Sequence, residues 1–228
     1  MALKERKTAL RKQITAELKK LDPGEIERQS ATITRMILQL PAYQKAKSLA
    51  VFLSMPGREA STRDIVLHSL DNGKSVFVPY LHPGELPGSR IMDMLELHNK
   101  EDFESLKSDA WGIPSLAEDS VGNRRNALGG MGISNTVPDQ QDSFPPLDII
   151  FMPAVAFDES HYRLGHGKGF YDRYLARYES ALDSTQGEQA MPLLVGISLR
   201  QQVLPPGESV PADEHDWTVD QVVVAEMA

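Results

Sequence analysis

The chain has 228 residues, 41% of them hydrophobic, and carries a formal net charge of −8 at pH 7 with no cysteine. That length and ordinary composition point to one large domain, able to bury enough surface to fold without covalent staples. The missing cysteines exclude disulfide frameworks, thiolate zinc sites, iron–sulfur clusters and a cysteine nucleophile, and the acidic balance speaks against general nucleic-acid binding.

Residues 3–20 place Leu3, Leu10, Ile14, Leu18 and Leu21 on one stripe, which predicts a helix. Asp22-Pro23-Gly24-Glu25 stops it and starts another: Asp22 can cap, Pro23 suits the first helical position, and Glu25 completes a box-like arrangement. The second helix is expected to end at Pro41. This end of the chain is basic: residues 1–47 hold 11 Lys/Arg against 5 Asp/Glu, leaving 13 against 27 elsewhere. A basic end on an acidic protein suits a local anionic ligand, or simply a solvated helix face.

Ser48–Met55 is a short, nearly continuous apolar run, the pattern of a strand buried on both faces. After a Pro-Gly turn, Ser61 or Thr62 can cap a helix through Leu70, which Asn72-Gly73 closes. Ser75–Pro79 is the next strand. A strand, helix and strand within about thirty residues predict a parallel pair with a right-handed crossover. Arg90–Leu97 alternates and reads as a half-exposed strand. Residues 120–146 hold 4 Gly and 3 Pro with no clear period and read as a long surface loop, with one helical turn around Arg124–Leu128. Leu147–Met152 is a third buried strand, a helix begins near Gly169, and Leu193–Ile197 and Val219–Ala225 give two more strands. The expected fold is a single α/β domain over 1–228, Rossmann-like, with three α/β/α layers, a mostly parallel sheet and the N-terminal helical pair packed on its core.

Ligands in such sheets collect at the carboxyl ends of the strands. There the segment Tyr162–Leu175 (YRLGHGKGFYDRYL) alternates Gly165, Gly167 and Gly169 with other residues and then starts a helix. Glycine lets the backbone approach an anion closely, and a helix N-terminus turns its unpaired amides and positive dipole end toward it. Lys168 and Arg163 add full charges, so the segment reads as a phosphate cradle, the alternative being a glycine-rich turn with no ligand. Phe170 stands where the dinucleotide pattern needs a third glycine, and no Ser or Thr follows Lys168 as the Walker pattern requires. Asp172 in the first helical turn either answers the dipole or holds a magnesium ion between itself and a phosphate. A second carboxylate is then needed, and Asp213-Glu214-His215-Asp216 is the densest acidic cluster.

Arg163–Leu175 resembles the signature R-x-G-x-G-x-G-[YF]-Y-D-R-x-L of 5-formyltetrahydrofolate cyclo-ligases. The likeness continues through Lys7–Arg11, Phe52–Met55 with Glu59 and Thr62, Met92–Met94, Trp111–Pro114, Asp148–Pro153, and the stretch from Pro211 through His215-Asp216 to Asp220. The resemblance implies ATP-dependent conversion of 5-formyltetrahydrofolate to 5,10-methenyltetrahydrofolate. It implies that ATP meets Lys7, Arg11 and Gly165, His166, Gly167, Lys168, Gly169, Phe170, Tyr171 and Asp172. Magnesium would sit on Asp172 and Asp216; Lys168, Arg163 and Tyr171 would be catalytic. Leu53, Met55, Glu59, Met92, Trp111 and Phe170 would form the folate pocket. His166 stands where the family often has arginine, Phe170 where it often has tyrosine, and Glu59 aligns only with one residue inserted after Met55. Residues 129–146 and about 183–190 read as insertions.

A folate- or nucleotide-binding protein of the same fold without turnover is the alternative, but it would lack Lys168, Asp172 or Asp216, and all are present. An oxidoreductase of the NAD type needs the other glycine spacing. His68, His82, His98 and His161 lack metal-ligand spacing and read as structural. The expected partners are ATP and a folate, with or without extra glutamates, and neither nucleic acid nor membrane: no run of about 18 apolar residues is present. Glu5 and Glu17 argue against a mitochondrial presequence, so the cytoplasm is expected, with the mitochondrion second, and a compact acidic single domain is expected to be a monomer.

Overall fold

The computed structural model describes residues 2–84, 86–133, 146–184 and 190–225. It opens with α1 (Leu3–Leu18), α2 (Pro23–Gln39) and the short α3 (Pro41–Lys45). Asp22 caps α2 by accepting the Gly24 amide at 3.1 Å, with Pro23 in the first turn. Glu25 does not close a capping box. It pairs with Arg28, Gln29 and Arg200, because a 3-10 turn at Arg200–Gln202 brings a cation against it.

The central strands are β1 (Ser48–Val51), β2 (Ser75–Pro83) and β3 (Arg90–Leu97), with α4 (Arg63–Asp71) between the first two. β1 is four residues shorter than its apolar run. Thr62, expected to cap α4, instead donates its hydroxyl to the Phe52 carbonyl at 2.7 Å and ties the loop that follows β1 to the strand end. Next come α5 (Lys100–Glu104), a ribbon of β4 (Lys107–Ser108) with β5 (Pro114–Ser115), and β6 (Ile149–Met152). A second ribbon pairs β7 (Ala156–Phe157) with β8 (Arg163–Leu164), and α6 (Phe170–Ser184), β9 (Leu193–Ser198) and β10 (Gln221–Val224) close the chain.

The main sheet runs β10-β9-β6-β1-β2-β3; all neighbours are parallel except β3, which is antiparallel to β2. Alternation sorts its side chains into two cores. Leu49, Val76 and Ile149, in register, pack with Ile14, Ile33 and Ile65 from α1, α2 and α4. Ala50, Phe77 and Ile150 pack with Tyr174, Leu175 and Tyr178 of α6. Three layers result, as expected from the sequence.

The surface loop expected at 120–146 is corrected in part. The helical turn falls at Glu118–Asn123 rather than 124–128, and Arg124, Asn126, Ala127 and Leu128 are buried. The Glu96 amide donates to the Arg125 carbonyl and the Ala127 amide to the Met94 carbonyl, each at 2.9 Å. This segment thus covers the outer edge of β3, whose backbone groups need partners. Arg124 is held by two bonds to Asp102, at 2.6 and 2.7 Å. Residues 134–145 and 185–189, most of the two expected insertions, lie outside the described residues.

Candidate active site

β1 continues to β2 on one side, through α4, and borders β6 on the other. The order reverses there, so the loops leaving β1 and β6 face each other across the crevice where open α/β sheets bind ligands. They meet at His166, whose Nε2 lies 3.2 Å from Glu59 Oε1, while Glu59 Oε2 accepts the Met55 amide at 2.9 Å. Glu59, the residue that aligned only with an insertion, therefore sits against the glycine loop.

The β7–β8 ribbon fixes the base of that loop. Asp158 is buried between the strands and accepts the amides of Ser160 and Tyr162 at 3.0 Å and of Val210 at 2.8 Å. The sequence reading passed over Asp158, since an acid at a turn carries no distinctive signal. β8 delivers Arg163, and Gly165–Gly169 leads into α6. Gly167 and Gly169 adopt φ of +90° and +61°, values other residues rarely take.

α1 folds back over this loop. Arg11 donates through Nε to the Gly165 carbonyl at 2.7 Å, and Lys7 Nζ lies 2.6 Å from Asp216 Oδ2 and 3.8 Å from Asp213. The two cations are one turn apart on the helix and so face the same side. Burial lowers the Arg11 pKa, opposed by Asp216. Arg163 is buried, its Nη2 2.5 Å from Asp172 Oδ1. Burial lowers its pKa too, against Asp172, Tyr171 and Asp216; guanidinium keeps its proton regardless. The Arg163 guanidinium lies 5.7 Å from the Tyr171 ring centre. Burial raises the Tyr171 pKa, so its hydroxyl keeps its proton. That hydroxyl and Arg163 Nε are buried with no partner among the described residues.

The two acids predicted for the metal have a matching arrangement. Asp172 Oδ1 takes Arg163 and the Trp217 amide, at 3.3 Å, and Asp216 Oδ2 takes Lys7 and the Asp213 amide, at 2.8 Å. Asp172 Oδ2 and Asp216 Oδ1 have no partner among the described residues. Two carboxylates with a free oxygen each, beside the glycine loop, suit a magnesium ion that also keeps water and oxygens of an anionic ligand. No cluster of three or more His, Cys, Asp or Glu fit for a metal occurs among the described residues, so the ion would depend on oxygens from its ligand.

The model of the 5-formyltetrahydrofolate cyclo-ligase family matches residues 3–225. The chain belongs to that family. It is similar to a probable 5-formyltetrahydrofolate cyclo-ligase of Schizosaccharomyces pombe, 34% identical over 99% of this chain and 97% of the relative. The Mus musculus 5-formyltetrahydrofolate cyclo-ligase is 31% identical over 95% of this chain and 92% of that one. Among solved structures, the 5,10-methenyltetrahydrofolate synthetase of Aquifex aeolicus superposes with a TM-score of 0.63 at 25% identity, covering 97% of this chain and 90% of the other.

The residues that the cyclo-ligase resemblance assigned to folate divide in two. Glu59 and Met55 stand at the loop after β1, and Trp111 is 66% exposed at the tip of the β4–β5 ribbon. Asp109 shapes that tip by accepting the Trp111 and Ile113 amides, and Gly112 packs on Pro56, which brings the ribbon to the same loop. Leu53 and Met92, by contrast, are 8% and 5% exposed and present almost no surface to a ligand. Met92 points into the core under α6 because alternation along β3 turns it there. Lys168 is exposed and unpaired among the described residues, and Phe170 is half-buried beneath Arg173, whose guanidinium lies 5.4 Å from its ring centre. Arg173 belongs to the signature motif.

Of the remaining histidines, His82 is buried between the Pro83 carbonyl and Asp93, and His68 meets the Tyr43 hydroxyl. Both fit structural roles.

Proposed function

We propose that this cyclo-ligase converts 5-formyltetrahydrofolate and ATP to 5,10-methenyltetrahydrofolate, ADP and phosphate. The observation that carries the reading is the closure of α1 over the glycine loop, which sets Lys7 and Arg11 beside Gly165–Gly169, Asp172 and Asp216. The formyl oxygen is a poor leaving group and must first accept the γ-phosphoryl group. The neighbouring amine of the folate then attacks the activated carbon, losing its proton, and phosphate departs with the oxygen. Phosphoryl transfer needs positioning and charge neutralisation more than covalent help, which accounts for a site without a protein nucleophile.

The amides at the start of α6, with Arg11, Lys7 and Lys168, bind and orient the phosphates. Asp172 and Asp216 would hold magnesium, which neutralises phosphate charge when bound. Arg163 orients Asp172 and rests on the Tyr171 ring. Glu59, held by the Met55 amide, and the exposed Trp111 receive the pterin side of the folate, with or without extra glutamates. No helix among the described residues is long and apolar enough to cross a membrane; we read the protein as a cytoplasmic monomer without nucleic-acid or membrane partners. The test is incubation with 5-formyltetrahydrofolate, with and without Mg-ATP, following the conjugated methenyl product. ATP-dependent product supports the reading; product without ATP, or none at all, rejects it.

A further inference from the structure

Each of the three alternating glycines faces an arginine. A side chain built on Gly165 would lie 3.5 Å from Arg163, one on Gly167 3.2 Å from Arg11, and one on Gly169 3.1 Å from Arg173. The last two distances are tighter than ordinary contact, so the bare backbone at 167 and 169 makes room for guanidinium groups as well as for the turn. Three guanidiniums thus ring the entrance to α6.

Their charges are not equally engaged. Arg163 is ion-paired to Asp172, and Arg11 is bonded to the Gly165 carbonyl. Arg173 is exposed, has no ion pair or side-chain hydrogen bond among the described residues, and is braced only by the Phe170 face and the Gly169 backbone. Stacking of this kind orients a guanidinium plane while leaving its N–H groups free to donate. The position is within the first turn of α6, where the helix dipole already favours an anion. A positive group placed there opposes the dipole unless an anion sits between them.

We infer that Arg173 is a further ligand-binding residue of this site, its stacked guanidinium donating to the phosphate chain of the nucleotide across Gly169. This rests on the function proposed above. Lys168, Arg11 and Arg173 then approach the phosphates from three directions, and Phe170 serves as the brace for Arg173 rather than as a ligand-stacking ring. The signature contains Arg173, but its spacing alone gives that arginine no role.

The experiment uses the whole chain with Arg173→Ala, Arg173→Lys and Phe170→Leu, each checked by thermal melting. Binding of Mg-ADP and of inorganic tripolyphosphate is measured by calorimetry, and KM for ATP and for 5-formyltetrahydrofolate by product formation. A charge-assisted hydrogen bond lost from such a site weakens binding by roughly tenfold to hundredfold. Arg173→Ala is expected to lose that much for both probes and in KM for ATP, with KM for the folate moving little. Arg173→Lys keeps part of the binding, and Phe170→Leu loses an intermediate amount at unchanged melting temperature. Wild-type affinity in Arg173→Ala, or a loss confined to KM for the folate, overturns the assignment; the latter gives the guanidinium to a folate carboxylate. A wild-type protein that binds neither probe rejects the proposed function itself.

Discussion

Replacing Asp172 by asparagine strips the buried Arg163 of its counter-charge. Arg163 is 4% exposed in its side chain and Asp172 26%, with 2.5 Å between Nη2 and Oδ1, and Arg163 Nε already lacks a partner among the described residues. Removing one member of a buried pair costs about 3–5 kcal/mol. Asp172 reaches solvent and Asp216 also acts on Arg163, so the lower end applies, about 3 kcal/mol. At roughly 2–4 °C per kcal/mol for a chain of this size, Asp172→Asn is expected to melt about 6–12 °C below the wild type. The assay is thermal unfolding followed by circular dichroism, in a chelator and without nucleotide, so that lost metal or ligand binding does not contribute. Arg163→Met leaves a carboxylate that water can reach, and the double variant is expected to recover part of the loss seen in Asp172→Asn. An Asp172→Asn protein melting within about 2 °C of the wild type would refute the reasoning.

Three other outcomes are expected. Arg11→Ala raises KM for ATP far more than KM for 5-formyltetrahydrofolate, measured by product formation; equal effects reject its contact with phosphate. Burial pushes the Asp102 carboxyl up, but the bonds from Arg124 and the His98 amide outweigh this and hold it below its ordinary 3.8. A carboxyl depressed in the folded state contributes stability that is present above its unfolded value and lost as pH falls through the folded one. Resistance to chemical denaturation is therefore expected to fall below about pH 4 in the wild type, and more gently in Asp102→Asn; identical slopes contradict this. Gly196→Ala would set a methyl 2.5 Å from the buried Phe157 ring, an overpacking worth about 1–3 kcal/mol, and unchanged melting would show that the ring moves freely.

Long, strongly patterned stretches were legible in the sequence. The apolar runs became β1, β2 and β6, the alternation of Arg90–Leu97 became the antiparallel edge β3, and α6 begins beside Gly169 as expected. The two-residue strands of the ribbons were not, since a period cannot be read in two residues. β8 matters most, because it delivers Arg163 to the loop. The polar segment 124–128 resembled surface because its composition is that of a loop. Its burial comes from Arg124 meeting Asp102 and from the backbone needs of β3, neither of which is a local property. Motif residues at the site were legible as a set, but their pairing was not. Nothing in the spacing told that Lys7 lies on Asp216, that Arg11 bonds Gly165, or that His166 reaches Glu59, since each joins positions more than 100 residues apart. Met92 was assigned to the folate by likeness, while its strand position turns it into the core.

The most direct test of the phosphate loop is a crystal structure with Mg-ADP bound. The expected result is a diphosphate within hydrogen-bond distance of the Gly165–Gly169 amides and of Arg11, and a cation shared by Asp172, Asp216 and a phosphate oxygen. Nucleotide bound elsewhere, with Arg11 still on the Gly165 carbonyl and no cation between the two aspartates, would contradict it.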